Sequence, residues 1–191
     1  MANRYWVGGN GIWDRSTTTT NWSTSSGGAG GASTPFTSDN AIFDANSGGG
    51  TVTVNGQPIV INITMTGFTG VFFCSGSAKV FFHGSLTLPS SSTTGLAADS
   101  GGTHDLVGTA TITSNGSSLK SLEFSVARND GTRVLSLADD LLITGTLSFS
   151  VGGFTDLDSI PFNTNNFNIT ASAFSYSTTQ AVTIKMLMLL Y

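Results

Sequence analysis

Charge is scarce in this chain. Lys, Arg, Asp and Glu together supply 9% of its 191 residues, against 39% hydrophobic, so the water-facing surface must be built mainly from Ser, Thr, Asn and Gly. Exposed helices lean on Glu, Lys, Arg, Gln and Ala, whereas the Thr, Val, Ile and Phe that abound here suit a pleated, half-buried strand. The seven basic residues are scattered and the net charge is −4. A phosphate-tracking surface needs clustered Lys and Arg, so nucleic acid is not expected as a partner. Cysteine occurs once, at Cys74. That excludes an internal disulfide framework, and with Phe72 and Phe73 beside it the thiol reads as a small buried apolar group. Long apolar runs are missing as well: the tail Met186 to Tyr191 falls far below the roughly 20 residues of a membrane helix. Residues Met1 to Gly9 contain no apolar h-region of a signal peptide. The expectation is a protein that is made and assembled inside the cell, without membrane insertion.

What is present points to strands. A body of this length buries roughly 70% of its unfolded surface and folds without staples. Three tryptophans fall within the first 22 residues, at Trp6, Trp13 and Trp22, and read as a cap or platform. The run Ser23 to Thr34 reads as a flexible loop, followed by Pro35 and the short strand Ala41-Ile42-Phe43. A glycine turn over Ser47 to Gly50 leads into the strand Thr51 to Val54, Asn55-Gly56 marks a turn, and Ile59 to Met65 resumes strand character. We divide the chain into residues 1–50, an N-terminal aromatic cap with its Gly/Ser-rich loop, and residues 51–191, a strand-rich body. The segment Leu135 to Leu142 carries the one hint of helix, and Val, Ile and Thr flank it.

A loose internal repeat runs through the body. Phe82-His83-Gly84-Ser85-Leu86-Thr87-Leu88 aligns with Ile143-Thr144-Gly145-Thr146-Leu147-Ser148-Phe149, and Ile63-Thr64 and Ile169-Thr170 open similar segments. Taking Ile63, Phe82, Ile112, Ile143 and Ile169 as equivalent starts gives steps of 19, 30, 31 and 26, about one turn of an irregular β-solenoid. The fold class is therefore all-β, a short parallel β-helix-like solenoid with an N-terminal aromatic cap; a Greek-key or jelly-roll β-sandwich is the alternative. In the solenoid reading Leu147, Phe149 and Val151 point inward and Thr146, Ser148 and Ser150 stay wet. Pro89 to Thr103 reads as a polar loop outside the stack. The tail Met186-Leu187-Met188-Leu189-Leu190-Tyr191 breaks the alternation of Val182 to Lys185. An apolar strand of that kind needs a covering subunit or partner.

Residues for catalysis are sought in vain. A glycosidase needs two facing carboxylates, and Asp156, Asp158 and Glu123 read as solvated acids. Asp139 and Asp140 are adjacent and read as a turn. His83 and His104 stand at no metal-ligand spacing with Cys74 or with acids. Gly8-Gly9-Asn10-Gly11 lacks the strand before and the helix after that a phosphate cradle requires; its glycines let Trp6 and Trp13 approach each other. No enzyme activity, cofactor or metal is expected. Exposed, the three indoles would stack on sugar rings; buried, they would fill the first layer or meet neighbouring subunits.

The stretch Trp6-Val7-Gly8-Gly9-Asn10-Gly11-Ile12-Trp13-Asp14, with Asn21-Trp22-Ser23, Pro35 and Asp39-Asn40-Ala41-Ile42-Phe43-Asp44, resembles an opening shared by autotransporter-like β-helix repeats and by tail-fibre or particle proteins of bacteriophages. The later Ile-Thr-Gly-Thr-Leu segments resemble the stacked coils that follow that opening. Autotransporters carry a secretion signal and a membrane barrel, features not found here, which directs the resemblance to the phage branch. It implies a non-enzymatic virion protein assembled in the host cytoplasm and displayed on the particle, most simply a capsid decoration or cement protein. The implied partners are further copies in a homotrimer and other virion proteins such as the major capsid protein. Contacts are then expected at Trp6, Trp13 and Trp22 and at Met186, Leu187, Met188, Leu189, Leu190 and Tyr191. The alternative is a receptor-binding tail-fibre or tailspike module that recognises host surface polysaccharide.

Overall fold

The computed structural model describes residues 1–15, 20–90, 97–100, 109–126, 134–151 and 162–178. Among them every regular element is a strand except one 3-10 turn, Ala45–Ser47. In chain order the strands are β1 (Asn3–Trp6), β2 (Gly11–Asp14), β3 (Trp22–Ser23), β4 (Asn40–Ile42), β5 (Thr51–Asn55) and β6 (Ile59–Val60). There follow β7 (Ile63–Thr64), β8 (Val71–Cys74), β9 (Val80–Phe82), β10 (Leu86–Thr87), β11 (Ala97–Ser100) and β12 (Thr109–Thr113). The last are β13 (Ser118–Leu119), β14 (Ser121–Val126), β15 (Val134–Leu137), β16 (Leu141–Val151), β17 (Phe162–Asn163) and β18 (Ile169–Thr178). The chain is all-β.

The strands lie in three sheets. One runs β17-β15-β12-β10-β7-β4-β1-β3, a second runs β13-β16-β14-β11-β9-β6 with β18 on β16, and a third is β2-β5-β8. Apart from β1 with β3, which is antiparallel, the pairings are parallel, and each strand meets the strand from the preceding pass of the chain. The pass length varies: the first pass is long, with Asn3 and Asn40 37 residues apart and Gly11 and Val52 41 apart, and later partners lie 18 apart at Val80 and Ala98, 22 at Asn40 and Asn62, 26 at Ser85 and Thr111, and 28 at Asp140 and Asn168.

Two-residue periodicity decides which side chains go inward. Thr51 and Thr53 are half-buried while Val52 and Val54 are fully buried, and β12 and β15 repeat the pattern. Register then stacks like on like. Ala41, Ile63, Leu86, Ile112 and Leu137 form one column through the first sheet, each wholly buried. In the second sheet Leu122 stands on Leu147 and Phe124 on Phe149, all inward. A single apolar cluster runs from Trp6 to Phe149. Parallel sheets ordinarily bury both faces; here Thr, Ser and Asn hold many of the outward positions, although the third sheet also exposes Ile12, Val71 and Phe73.

Polar side chains bind the passes at the entrance to the first sheet. Asn40 Nδ2 donates to Asn3 Oδ1 (2.8 Å) and Asn62 Nδ2 to Asn40 Oδ1 (2.8 Å). Asn62 Oδ1 accepts from the Ser85 backbone N–H (2.7 Å), and Ser85 Oγ from that of Thr111 (3.0 Å). In the second sheet β16 carries one extra residue against both β14 and β18, a bulge around Gly145. A Cβ on Gly145 would stand 2.5 Å from the Lys120 carbonyl oxygen, so this bulge needs glycine.

Two expectations are corrected. Residues 97–100, assigned by sequence to a polar loop, form β11 and pair in parallel with β9 and β14 on both sides. Pairing is a backbone interaction, and two flanking strands outweigh the weak β-propensity of Ala-Ala-Asp-Ser. The proposed equivalences also mix sheets: Ile63 and Ile112 share one column through Leu86, but Phe82 pairs with Val60 and Ile143 with Leu119 in the second sheet. With pass lengths ranging from 18 residues at Val80 and Ala98 to 41 at Gly11 and Val52, a strand in one sheet and a strand in another look alike in sequence.

Candidate functional site

The opening motif closes one end of the molecule. Trp6 ends β1 with its ring inward and Nε1 donating to the Gly9 carbonyl at 2.9 Å. Gly11 begins β2 under that ring, and a Cβ there would meet the Trp6 ring and the Asn21 side chain at about 2.7 Å or less. Asn21 Nδ2 donates to the carbonyls of Val7 (2.9 Å) and Asn10 (3.2 Å), and the Val7 N–H donates to the Asn21 carbonyl. This brings β3 antiparallel to β1, with Trp22 opposite Trp6. Phe43 sits between the rings, 5.6 Å from Trp22 and 5.2 Å from Phe72 in edge-to-face contacts, and 5.7 Å from Trp13. After it, Asp44 and Ser47 cap the 3-10 turn reciprocally. Trp6, Gly11, Asn21, Trp22 and Phe43 of the motif therefore each have a packing or hydrogen-bonding task.

Trp6, Trp13 and Trp22 are all at 0% exposure. They offer no ring face to a sugar and no side-chain surface to another subunit within the arrangement described. The N–H groups of Trp13 and Trp22 lack an oxygen or nitrogen acceptor among the described residues. Edge-to-face contacts hold both rings instead. Cys74 is buried and reduced, in register with Val54, which is itself in register with Trp13.

The acids resolve differently. Asp139 and Asp140 form the corner between β15 and β16, and each reaches to a different pass. Asp139 takes the backbone N–H groups of Ser114 (2.7 Å) and Asn115 (2.6 Å) from the pass before; Asp140 takes that of Asn168 (2.8 Å) from the pass after. Their adjacency, read as a turn, is also a clamp across three passes. Glu123 forms an ion pair with Lys79, β14 to β9 across β11. His83 is buried beside the turn after β9, where its backbone N–H donates to the Val60 and Ile61 carbonyls. His104, Asp156, Asp158, Val182 to Lys185 and the tail Met186, Leu187, Met188, Leu189, Leu190 and Tyr191 lie outside the described residues.

An open groove of about 400 Å³ lies at the same corner, lined by Gly116, Ser117, Asp140, Leu141, Leu142, Asn168 and Thr170. Ser118, Leu142 and Thr170 are in register across β13, β16 and β18, and Leu142 is 44% exposed between two hydroxyl residues. Sequence reasoning passed over this groove, because its residues come from three passes and are ordinary in each. Among the described residues no group of three or more His, Cys, Asp or Glu stands ready for a metal ion, and no helix is long and apolar enough to cross a membrane.

No protein-family model, curated protein or solved structure matches the chain.

Proposed function

We propose that the protein is a short parallel β-solenoid serving as a non-enzymatic structural protein of a bacteriophage particle, displayed on its surface as a capsid decoration or cement protein. The observation that carries this reading is the monotonic stacking: strand after strand pairs in parallel with the pass before, and the column Ala41-Ile63-Leu86-Ile112-Leu137 is covered layer by layer. A Greek-key sandwich is built from antiparallel neighbours, and the described pairings have one such case, β1 with β3. A stack of this kind is a scaffold whose outer faces are free for contact. The word phage comes from the opening motif, whose tryptophans, glycines and Asn21 together terminate the stack.

The test is location. The protein is expected on the head of purified particles, and particles lacking it are expected to lose heat resistance or capsid retention. Its presence on the tail alone would replace decoration with receptor binding, and its absence from particles would overturn the virion reading. Light scattering at three times the 19.7 kDa chain mass checks the homotrimer, and an antiparallel Greek-key arrangement in a crystal structure would overturn the solenoid.

A further inference from the structure

We propose that Asn55 is a site of spontaneous covalent modification, where the folded chain converts its own asparagine to isoaspartate and aspartate. The inference does not rest on the virion reading. Asn-Gly occurs three times, at Asn10-Gly11, Asn55-Gly56 and Asn115-Gly116. Glycine after asparagine matters because it has no Cβ to keep its nitrogen away from the asparagine side chain. The Gly56 nitrogen, giving up its proton to solvent base, attacks Asn55 Cγ. The N–Cγ bond forms, the Cγ–Nδ2 bond breaks and ammonia leaves, closing a succinimide ring. Water then opens the ring. Addition at Cγ breaks the new bond and leaves aspartate; addition at the main-chain carbonyl breaks the original peptide bond and leaves isoaspartate, with the chain running through Cβ and Cγ. The net change is amide plus water to carboxylate plus ammonium, and nothing is oxidised.

The fold separates the three pairs. Asn10 Oδ1 accepts the Thr51 N–H at 2.7 Å, and the space beside Gly11 is filled, since a Cβ there would stand 2.5 Å from Asn21 Oδ1 and 2.7 Å from the Trp6 ring. Asn115 Nδ2 donates to the Leu88 carbonyl at 2.7 Å, and the Gly116 N–H, the group that would attack, donates to Ser114 Oγ at 3.1 Å. Asn55 differs from both. It is exposed at the last position of β5, and among the described residues no hydrogen bond holds its side chain. Gly56 is exposed too, and a Cβ there would meet nothing within 4 Å. Conversion at this place reaches into the stack. The Val54 carbonyl accepts the Ser75 N–H at 3.0 Å and the Gly56 carbonyl accepts the Lys79 N–H at 3.2 Å, so isoaspartate lengthens the main chain between two bonds to the next pass. Either product also adds a negative charge in register with Asp14, and like charges side by side repel.

The experiment ages the full chain in mildly alkaline buffer, with circular dichroism checking that it stays folded, and follows each Asn-Gly pair by peptide mass mapping. Isoaspartate is scored by enzymatic methylation of its carboxyl group. Asn55 is expected to convert first, about fivefold faster than Asn10, where ring closure breaks one hydrogen bond, and at least about tenfold faster than Asn115, where it breaks two. The same chain in urea is the control, and with the fold gone the three pairs should convert at similar rates. In the aged folded protein, amide exchange at Ser75 and Lys79 should accelerate, and Asn55→Ser should abolish that acceleration. Equal rates at the three pairs in the folded chain, a lead by Asn10 or Asn115, or an Asn55 that stays intact while the unfolded chain converts would overturn the proposal.

Discussion

The two ends of the described stack are both aromatic, yet they finish in opposite ways. At the first, Trp6, Trp13, Trp22, Phe43 and Phe72 are wholly buried in a network of contacts 5.1 to 6.1 Å apart. At the other, Phe124 stacks on Phe149 at 5.0 Å, and Phe149 meets Phe174 at 5.6 Å. Exposure there rises from 2% at Phe124 and 4% at Phe149 to 49% at Phe174. Phe174 is in register with Leu147, which is 3% exposed, so one inward column passes from buried to open within one layer. A column of apolar side chains has no natural stopping point. The first end stops because β3 doubles back antiparallel and inserts Trp22; among the described residues the other end has one more layer like those before it.

The largest test of this contrast is a matched pair of truncations. Phe43→Ala removes the ring around which the indoles pack and should cost about 3–5 kcal/mol, a large share of the roughly 5–15 kcal/mol that holds a domain folded. Phe174→Ser removes one ring contact, with Phe149, and should cost under about 1 kcal/mol, because a side chain 49% exposed has little burial to lose. Urea denaturation followed by tryptophan fluorescence measures both. Equal losses would break the distinction between a closed and an open end.

A smaller effect sharpens it. Asn62 is half-buried and joins three passes, donating to Asn40 and accepting from Ser85. Asn62→Ala strands two partners and should cost about 1–3 kcal/mol. Asn168 also joins neighbouring passes, through Asp140, but is exposed, so water replaces its side chain and Asn168→Ala should cost a few tenths to about 1 kcal/mol. Amide exchange at Ser85 and Thr111 should accelerate in the first variant and hold in the second.

Both asparagines show how much of the molecule was legible. Asn62-Ile63-Thr64 and Asn168-Ile169-Thr170 are the same triplet, and its likeness is visible in sequence. What is not visible is that β7 belongs to the first sheet and β18 to the second. The class, the strand at 51–54, the turn at Asn55-Gly56 and the inward places of Leu147 and Phe149 follow from two-residue periodicity and turn chemistry, which are local. The column register, β11 and the groove depend on which pass lies beside which, and pass lengths that vary from 18 to 41 residues hide it. The tryptophans illustrate the limit: the motif marks their importance, but only packing around Phe43 places them inside.

The smallest effect lies where the two halves join. The third sheet ends at β8, and after it the described passes alternate between two sheets. Just past that change Lys79 reaches Glu123 over β11, with side chains 36% and 27% exposed. The pair is the one salt bridge among the described residues, and it tempts one to read it as a rivet. Partial exposure argues otherwise. Solvent screens the attraction, and holding two long side chains costs entropy, so pairs of this kind contribute about 0–1 kcal/mol. Lys79→Met keeps most of the stem that packs along the strand while removing the charge. It should lower the melting temperature slightly at low ionic strength, and the difference should shrink in 1 M salt, where the screening length falls to about 3 Å. A loss as large as that of Phe43→Ala would mean that this contact over β11, and not the aromatic end, limits the stability of the stack.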